Sequence, residues 1–247
     1  YGEAVVAASS EDRKWTYIPS QDQLTLSPDA SYFHYCSNNT IEGTQWQYVP
    51  ETGSVPLVCD MSSDIMSRPI DVSKYGLIYA GAQKNLAPAG LTIVIIKEEL
   101  AGHELPITPA IMNYQYMIDK DSMYNTPPCW PIYILGLVCD WVESVGGLPG
   151  IEKRNINKAN MLYEVLDESK LFTVAAEKGS RSFMNVTFRT GNDDLDAKFV
   201  AESVKQGFTN LKGHRSVGGM RASIYNAMPT EGVEKLCDFI RKFDKEN

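Results

Sequence analysis

Between residues 32 and 97 four short apolar runs follow one another: YFHYCSN, SVPLVCD, GLIYAGA and LTIVIIK. They are rich in β-branched and aromatic residues and are bounded by polar stretches containing Gly and Pro, which suits strands of a mainly buried sheet. A fifth run, GEAVVAAS near the N-terminus, has the same character and is read as a strand as well. From Trp130 the pattern lengthens to helical spacing, with helices expected over 131–145 and 150–169 and a polar helix near 192–207. Two strand-like runs, LFTVAAE and SFMNVTFRT, fall between them. The chain closes with Thr230 as an expected N-cap, followed by Val233, Leu236, Cys237, Ile240 and Phe243 on one core-facing stripe. This is an α/β pattern. It divides near 150–155, at a helix rather than a flexible tether, giving segments 1–153 and 154–247.

Charge narrows the functions open to such a fold. The 247 residues carry 31 Asp and Glu against 23 Lys and Arg, a formal net charge of −8. A general nucleic-acid or membrane-surface binder needs a basic face, so neither partner is expected, and any anion site must be local. The five cysteines (Cys36, Cys59, Cys129, Cys139, Cys237) are scattered without a C-x-x-C pair. Neither a disulfide framework nor a metal site is signalled, and a cytoplasmic location is the natural reading. The run WPIYILGLVCDWV is cut by Asp140 well short of the ~20 apolar residues a membrane helix needs. The opening YGEAVVAASSEDRKW has no initiator methionine and no basic-then-apolar order, and reads as an interior piece of a longer chain.

In open α/β sheets, functional groups collect at the carboxyl ends of strands. Asp60 ends SVPLVCD, and Lys84 follows GLIYAGA after one residue. An arbitrary Asp and Lys would most often be an ion pair or two solvated loop residues. A lysine in a partly desolvated crevice can, however, form a Schiff base with an aldehyde, because burial favours the neutral, nucleophilic amine. Pyridoxal phosphate is the obvious aldehyde, and a carboxylate such as Asp60 opposite its pyridine nitrogen would keep that nitrogen protonated. The fingerprints G-x-G-x-x-G and G-x-x-x-x-G-K-[ST] are absent, which lowers the dinucleotide and nucleoside-triphosphate readings.

Four blocks carry a resemblance: NNTIEGTQW, VCDMSSDIMSRPIDVSKYGLIYAGAQKNLAPAGLTIVI, YNTPPCWPIYILGL and LKGHRSVGGMRASIYNAM. Together, and in this order, they resemble the phosphoserine aminotransferases over essentially the whole chain. The resemblance implies an aspartate-aminotransferase-like fold of type I, with a mainly parallel sheet in a large cofactor-binding domain and an α+β C-terminal small domain. It implies pyridoxal phosphate as cofactor and a homodimer in which two chains build each site. The implied reaction converts 3-phosphohydroxypyruvate and glutamate to phosphoserine and 2-oxoglutarate in serine biosynthesis. It also implies that about the first third of the family's chain lies upstream of Tyr1, with the cofactor-phosphate loop and the ring-stacking aromatic in it.

By that resemblance Lys84 is the Schiff-base lysine and Asp60 the partner of the pyridine nitrogen. Thr40 and Gln83 contact the cofactor, and Asn125 with Thr126 reaches the cofactor phosphate of the other subunit. Read alone, Thr40 and YNTPP are turn chemistry. Lys212, His214, Arg215 and Arg221 fall within ten residues of an otherwise acidic chain, a local anion trap if they converge and a solvated basic loop if they do not. Arg221 has the planar donor fork suited to an α-carboxylate. The resemblance gives it that role, and gives His214 and Arg215 the substrate phosphate. His34 and His103 are read as structural. Two other readings stay open: another fold-type-I enzyme, such as a desulfurase or a different aminotransferase, and an inactive dimerising fragment. A desulfurase needs a mobile cysteine, and no cysteine here lies in an evidently flexible Gly/Ser loop.

Overall fold

The computed structural model describes residues 2–247. Its first sheet is built from β1 (Phe33–Cys36), β4 (Leu57–Asp60), β5 (Leu77–Gly81) and β6 (Thr92–Ile96) in the order β1-β4-β5-β6. A two-residue hairpin, β2 (Asn38–Asn39) with β3 (Thr44–Gln45), lies in sequence between β1 and β4. The strands β1, β4 and β5 run parallel, in a register that sets Cys36, Asp60 and Tyr79 side by side. Leu57, Cys59, Ile78 and Ala80 share one face of this sheet and are buried, whereas on the opposite face only Leu77 is buried, Val58, Asp60 and Tyr79 are partly exposed, and His34 and Cys36 are exposed. β6 departs from that pattern. It pairs antiparallel at the sheet's edge and leaves Val94 and Ile95 about 40% exposed, so LTIVIIK is a strand but not a buried one.

The run GEAVVAAS forms no strand. Val5 and Val6 are exposed, and Ala7 O accepts a hydrogen bond from Thr25 N rather than from a neighbouring strand. Apolar, β-branched composition favours a strand only where a partner edge supplies the hydrogen bonds.

The helical part opens with the short α1 (Tyr114–Asp119), which Asn113 caps by accepting from Tyr116 N. Two longer helices follow, α2 (Cys129–Ser144) and α3 (Gly147–Glu168), set 82° apart. The bend falls at Gly146 and Gly147, whose φ values of +99° and +67° are left-handed conformations that glycine adopts without penalty. No single helix among the described residues is long and apolar enough to cross a membrane.

A second, antiparallel sheet is formed by β7 (Thr173–Val174), β8 (Asn185–Arg189) and β9 (Met220–Ser223), in that order. The helices α4 (Asp193–Lys205) and α5 (Thr230–Glu246) complete this part. Asn192 caps α4, accepting from Asp194 N and Leu195 N, and three aspartates favour the positive helix start. α5 buries the expected stripe of Val233, Leu236, Cys237, Ile240 and Phe243. Its cap is different from the expected one: Thr230 is the first helical residue and Pro229 precedes it with no side-chain bond. Proline suits a helix start because its missing N–H costs nothing there.

Two apolar cores result. One gathers Tyr35, Leu57, Cys59, Ile78, Ala80 and Leu86 around the first sheet. The other packs α3, α4 and α5 on the second sheet around Leu162, Phe188, Phe199, Ile240 and Phe243. Buried polar bonds stitch them together: Asn38 Nδ2 donates to Asn185 Oδ1 at 2.8 Å, and Phe183 N donates to Gln45 Oε1 at 3.0 Å.

Candidate active site

The site assembles where the first sheet's carboxyl ends meet β9. After β5 the chain makes a turn closed by Leu86 N and Ala87 N, both donating to Ala82 O. Lys84 projects from this turn, half-buried, and its Nζ donates to Thr40 Oγ1 at 2.8 Å. No carboxylate oxygen lies within 4.0 Å of that nitrogen among the described residues.

Thr40 sits in the loop of the β2–β3 hairpin. Asn39 Oδ1 accepts from Ile41 N at 3.0 Å, and Thr187 Oγ1 on β8 donates to Glu42 O at 2.7 Å. Glycine is needed at Gly43, where φ is +77° and a Cβ would stand 2.7 Å from Thr187 Oγ1. The hairpin is thereby pressed onto the second sheet. From that sheet Arg221, on β9, donates through one guanidinium nitrogen to Thr40 O at 3.3 Å. Its Nε is buried with no partner. A buried donor left unpaired costs about 1–3 kcal/mol, so this fork is poised for an acceptor.

Asp60 ends β4, with Oδ1 accepting from Ser62 N at 2.8 Å. A strand neighbour registers a carboxylate there. Burial first, and Asp60 second, push the Tyr79 hydroxyl up to about 12. Burial moves the Lys84 amine the other way, below an ordinary lysine; Cys36 and Asp60 pull it back, and Arg221 pushes it down again. An amine of lowered pKa, a carboxylate on the next strand and an unpaired guanidinium N–H form a set that fits an aldehyde cofactor and an anionic substrate.

The other expected residues are spread more widely. Gln83 is exposed in the Lys84 turn, with its side chain folded back beside Gly81, where a Cβ would stand 2.6 Å from Gln83 Oε1. Asn125 and Thr126 are exposed in the loop before α2, where Asn125 Nδ2 donates to Thr126 O at 3.3 Å. They make no hydrogen bond to the Lys84 group among the described residues. His214 Nδ1 lies 2.7 Å from Ser216 Oγ in a turn that also carries the exposed Arg215. Of the basic block, Arg221 alone bonds to a residue of the Lys84 group. Lys212 instead forms a strand-like bridge with Met220. His34 Nε2 meets Tyr79 OH at 3.0 Å, on the strand beside Asp60.

Asp64 is a group that pattern reading passed over. It is buried, accepts from Ser37 Oγ and from Gln45 Nε2 at 3.1 Å, and burial pushes its pKa up. The signal was there in CDMSSD, which places a second acid four residues after Asp60.

The class-V aminotransferase family model matches residues 2–236. A phosphoserine aminotransferase from Herminiimonas arsenicoxydans is 51% identical over 246 residues, 100% of this chain and 68% of the relative. The structure of phosphoserine aminotransferase from Bacillus circulans subsp. alkalophilus superposes with a TM-score of 0.97 at 46% identity, covering 99% of this chain and 68% of that one. The PLP-bound phosphoserine aminotransferase from Trichomonas vaginalis gives a TM-score of 0.89 at 39% identity, covering 93% and 65% respectively. A mixed sheet followed by a turn that carries a half-buried lysine, with relatives that match 93–100% of the chain, leaves one assignment: the chain belongs to the class-V aminotransferase family and, within it, to the phosphoserine aminotransferases.

Proposed function

We propose that the protein interconverts 3-phosphohydroxypyruvate and glutamate with O-phospho-L-serine and 2-oxoglutarate, as a step of serine biosynthesis, with pyridoxal phosphate carried on Lys84. Pyridoxal phosphate is the cofactor of this family, and when bound it supplies the electron sink that makes the substrate's α-proton removable. The observation that carries the reading is the convergence on Thr40: Lys84 reaches its hydroxyl and Arg221 its carbonyl.

In this reading the geometry supports the tasks of Lys84, Asp60 and Arg221, and the family resemblance supplies the others. Lys84, freed from Thr40, is the base that moves the α-proton, and its lowered pKa keeps more of it neutral near pH 7. Asp60 holds a proton on the pyridine nitrogen, and the Ser62 N–H steadies its carboxylate. Arg221 orients substrate by gripping the α-carboxylate that all four substrates share, which gives its Nε the acceptor it lacks. Thr40 and Gln83 are assigned to the cofactor's ring region. His214 and Arg215, on a turn stiffened by Val217 N and Gly218 N donating to His214 O, are assigned to the substrate phosphate.

The same reading divides the chain into a cofactor-binding part, 1–153, and a small C-terminal part, 154–247. The two apolar cores support it, with the apolar residues of α3 packed into the second of them. It also makes the enzyme a cytoplasmic homodimer in which Asn125 and Thr126 reach the cofactor phosphate of the partner subunit; their exposure on one chain is consistent with that use. Mixing two inactive variants, Lys84→Ala and Asn125→Ala, tests this. Shared sites predict that activity reappears in the mixed dimer, whereas self-contained sites predict none.

A further inference from the structure

The C-terminal part contains a buried lysine that the reaction does not use. Lys158, on α3, is 1% exposed and has no carboxylate within 4.0 Å among the described residues. Its ammonium instead faces four backbone carbonyls: Ile224 at 2.9 Å, Tyr225 at 2.7 Å, Asn226 at 3.4 Å and Met228 at 3.1 Å. These belong to the turn that leaves β9 three residues after Arg221. Burial, with Arg154 adding to it, pushes Lys158 down to about 8, so a cation held there near pH 7 costs stability relative to a solvated lysine. Packing alone would be served as well by an apolar residue of similar length.

The turn it gathers also touches the other side of the site. Asn226 N donates to Asn85 Oδ1 at 3.1 Å, and Asn85 is the residue next to Lys84. Asn85 Nδ2 is fixed in turn on Ile65 O at 3.1 Å. The Asn226 side chain donates to Met66 O at 2.9 Å and accepts from Asn155 Nδ2 at 2.8 Å, one helical turn before Lys158. All of Asn85, Asn155, Lys158 and Asn226 are buried. One short turn thus joins the strand that carries Arg221 to the segment that carries Lys84.

We propose that Lys158 is a positioning residue: its ammonium draws the carbonyls of the 224–228 turn together and, through the Asn226–Asn85 hydrogen bond, sets the distance between Lys84 and Arg221. This rests on the roles proposed above for those two residues. A grip that fixes the α-carboxylate relative to the base matters because misplacement by about 1 Å can cost on the order of 100-fold in rate.

The test compares Lys158→Met and Arg221→Ala with the unaltered cofactor-loaded enzyme. Two readouts are taken per loaded site: calorimetric affinity for glutarate, an unreactive dicarboxylate, and kcat/KM for glutamate and for phosphoserine. Lys158→Met should weaken glutarate and lower both kcat/KM values by a common factor of about 10 to 100. Glutarate affinity and both rates within about twofold of the unaltered enzyme, with only the Tm lowered, would overturn the positioning role while Arg221→Ala still loses glutarate. If Arg221→Ala itself binds glutarate normally, the site assignment falls, and this inference with it. Should Lys158→Met not accumulate as folded protein, Asn85→Ala decides, because it cuts the link and leaves the clip: a common loss supports the proposal, and unchanged affinity and rates overturn it.

Discussion

Thr40 is shared by the two cationic side chains of the site: Lys84 Nζ donates to its hydroxyl at 2.8 Å, and Arg221 donates to its backbone carbonyl at 3.3 Å. One hairpin residue therefore couples the first sheet to the second at the point where this amine and this guanidinium meet.

The first consequence is a pH dependence. Lys84 is nucleophilic only when unprotonated, and its pKa is lowered chiefly by burial. The sign follows: deprotonation begins at a lower pH than for an ordinary lysine, so reductive methylation of Lys84 in the cofactor-free enzyme should begin at lower pH than that of a lysine in a short peptide. The Thr40 hydroxyl accepts from the ammonium and favours the charged form, so Thr40→Val should move the onset lower still. An onset at or above the peptide's would contradict the buried-amine reading.

Asp60→Asn should leave the cofactor bound and slow single-turnover amino-group transfer by roughly 100-fold or more, the scale of a lost proton-holding group. Ser62 N can still donate to the remaining oxygen, so the local turn survives. Unchanged single-turnover transfer would remove Asp60 from the chemistry.

Arg221→Ala should damage both half-reactions, since glutamate and the phosphorylated substrate each offer the carboxylate it is proposed to hold. His214→Ala and Arg215→Ala should act unevenly, costing the phosphorylated substrate about 1.5–3 kcal/mol each, or about 10- to 150-fold in kcat/KM, and glutamate less. Equal losses for both substrates would dismiss phosphate recognition by this turn.

Stability rests elsewhere. Phe199 is fully buried against Phe172, Phe188, Phe239 and Phe243, at centroid distances of 4.9–5.8 Å. Phe199→Ala should cost about 3–5 kcal/mol of unfolding free energy, measured by denaturant titration, with cofactor binding at low denaturant retained.

Local pattern made much of this legible. The runs ending in Asp60 and Gly81 bury one face and keep an apolar residue, Val58 or Leu77, on the other, so they read as near-continuous apolar strands, and α5 shows its stripe because one face meets a core. β9 does not stand out as a strand because MRAS is half polar: Met220 and Ala222 face the core while Arg221 turns toward the site. GEAVVAAS misled for the opposite reason, having strand composition without a strand beside it. The polar ties among Asn85, Asn155, Lys158 and Asn226 join residues 68 to 141 positions apart in the sequence. No periodicity reports such contacts, and single asparagines read as turn residues wherever they stand.

The central claim is that Lys84 carries the cofactor, and covalent labelling tests it directly. Pyridoxal phosphate is bound to the enzyme, reduced with borohydride, and the digested protein is mapped by mass spectrometry. The account predicts a pyridoxyl group on Lys84, in the peptide containing AGAQKN. Lys74, before the β5 run, and Lys97, after the β6 run, are the nearest competitors in sequence. A label on either of them, with Lys84 unmodified, would contradict the account.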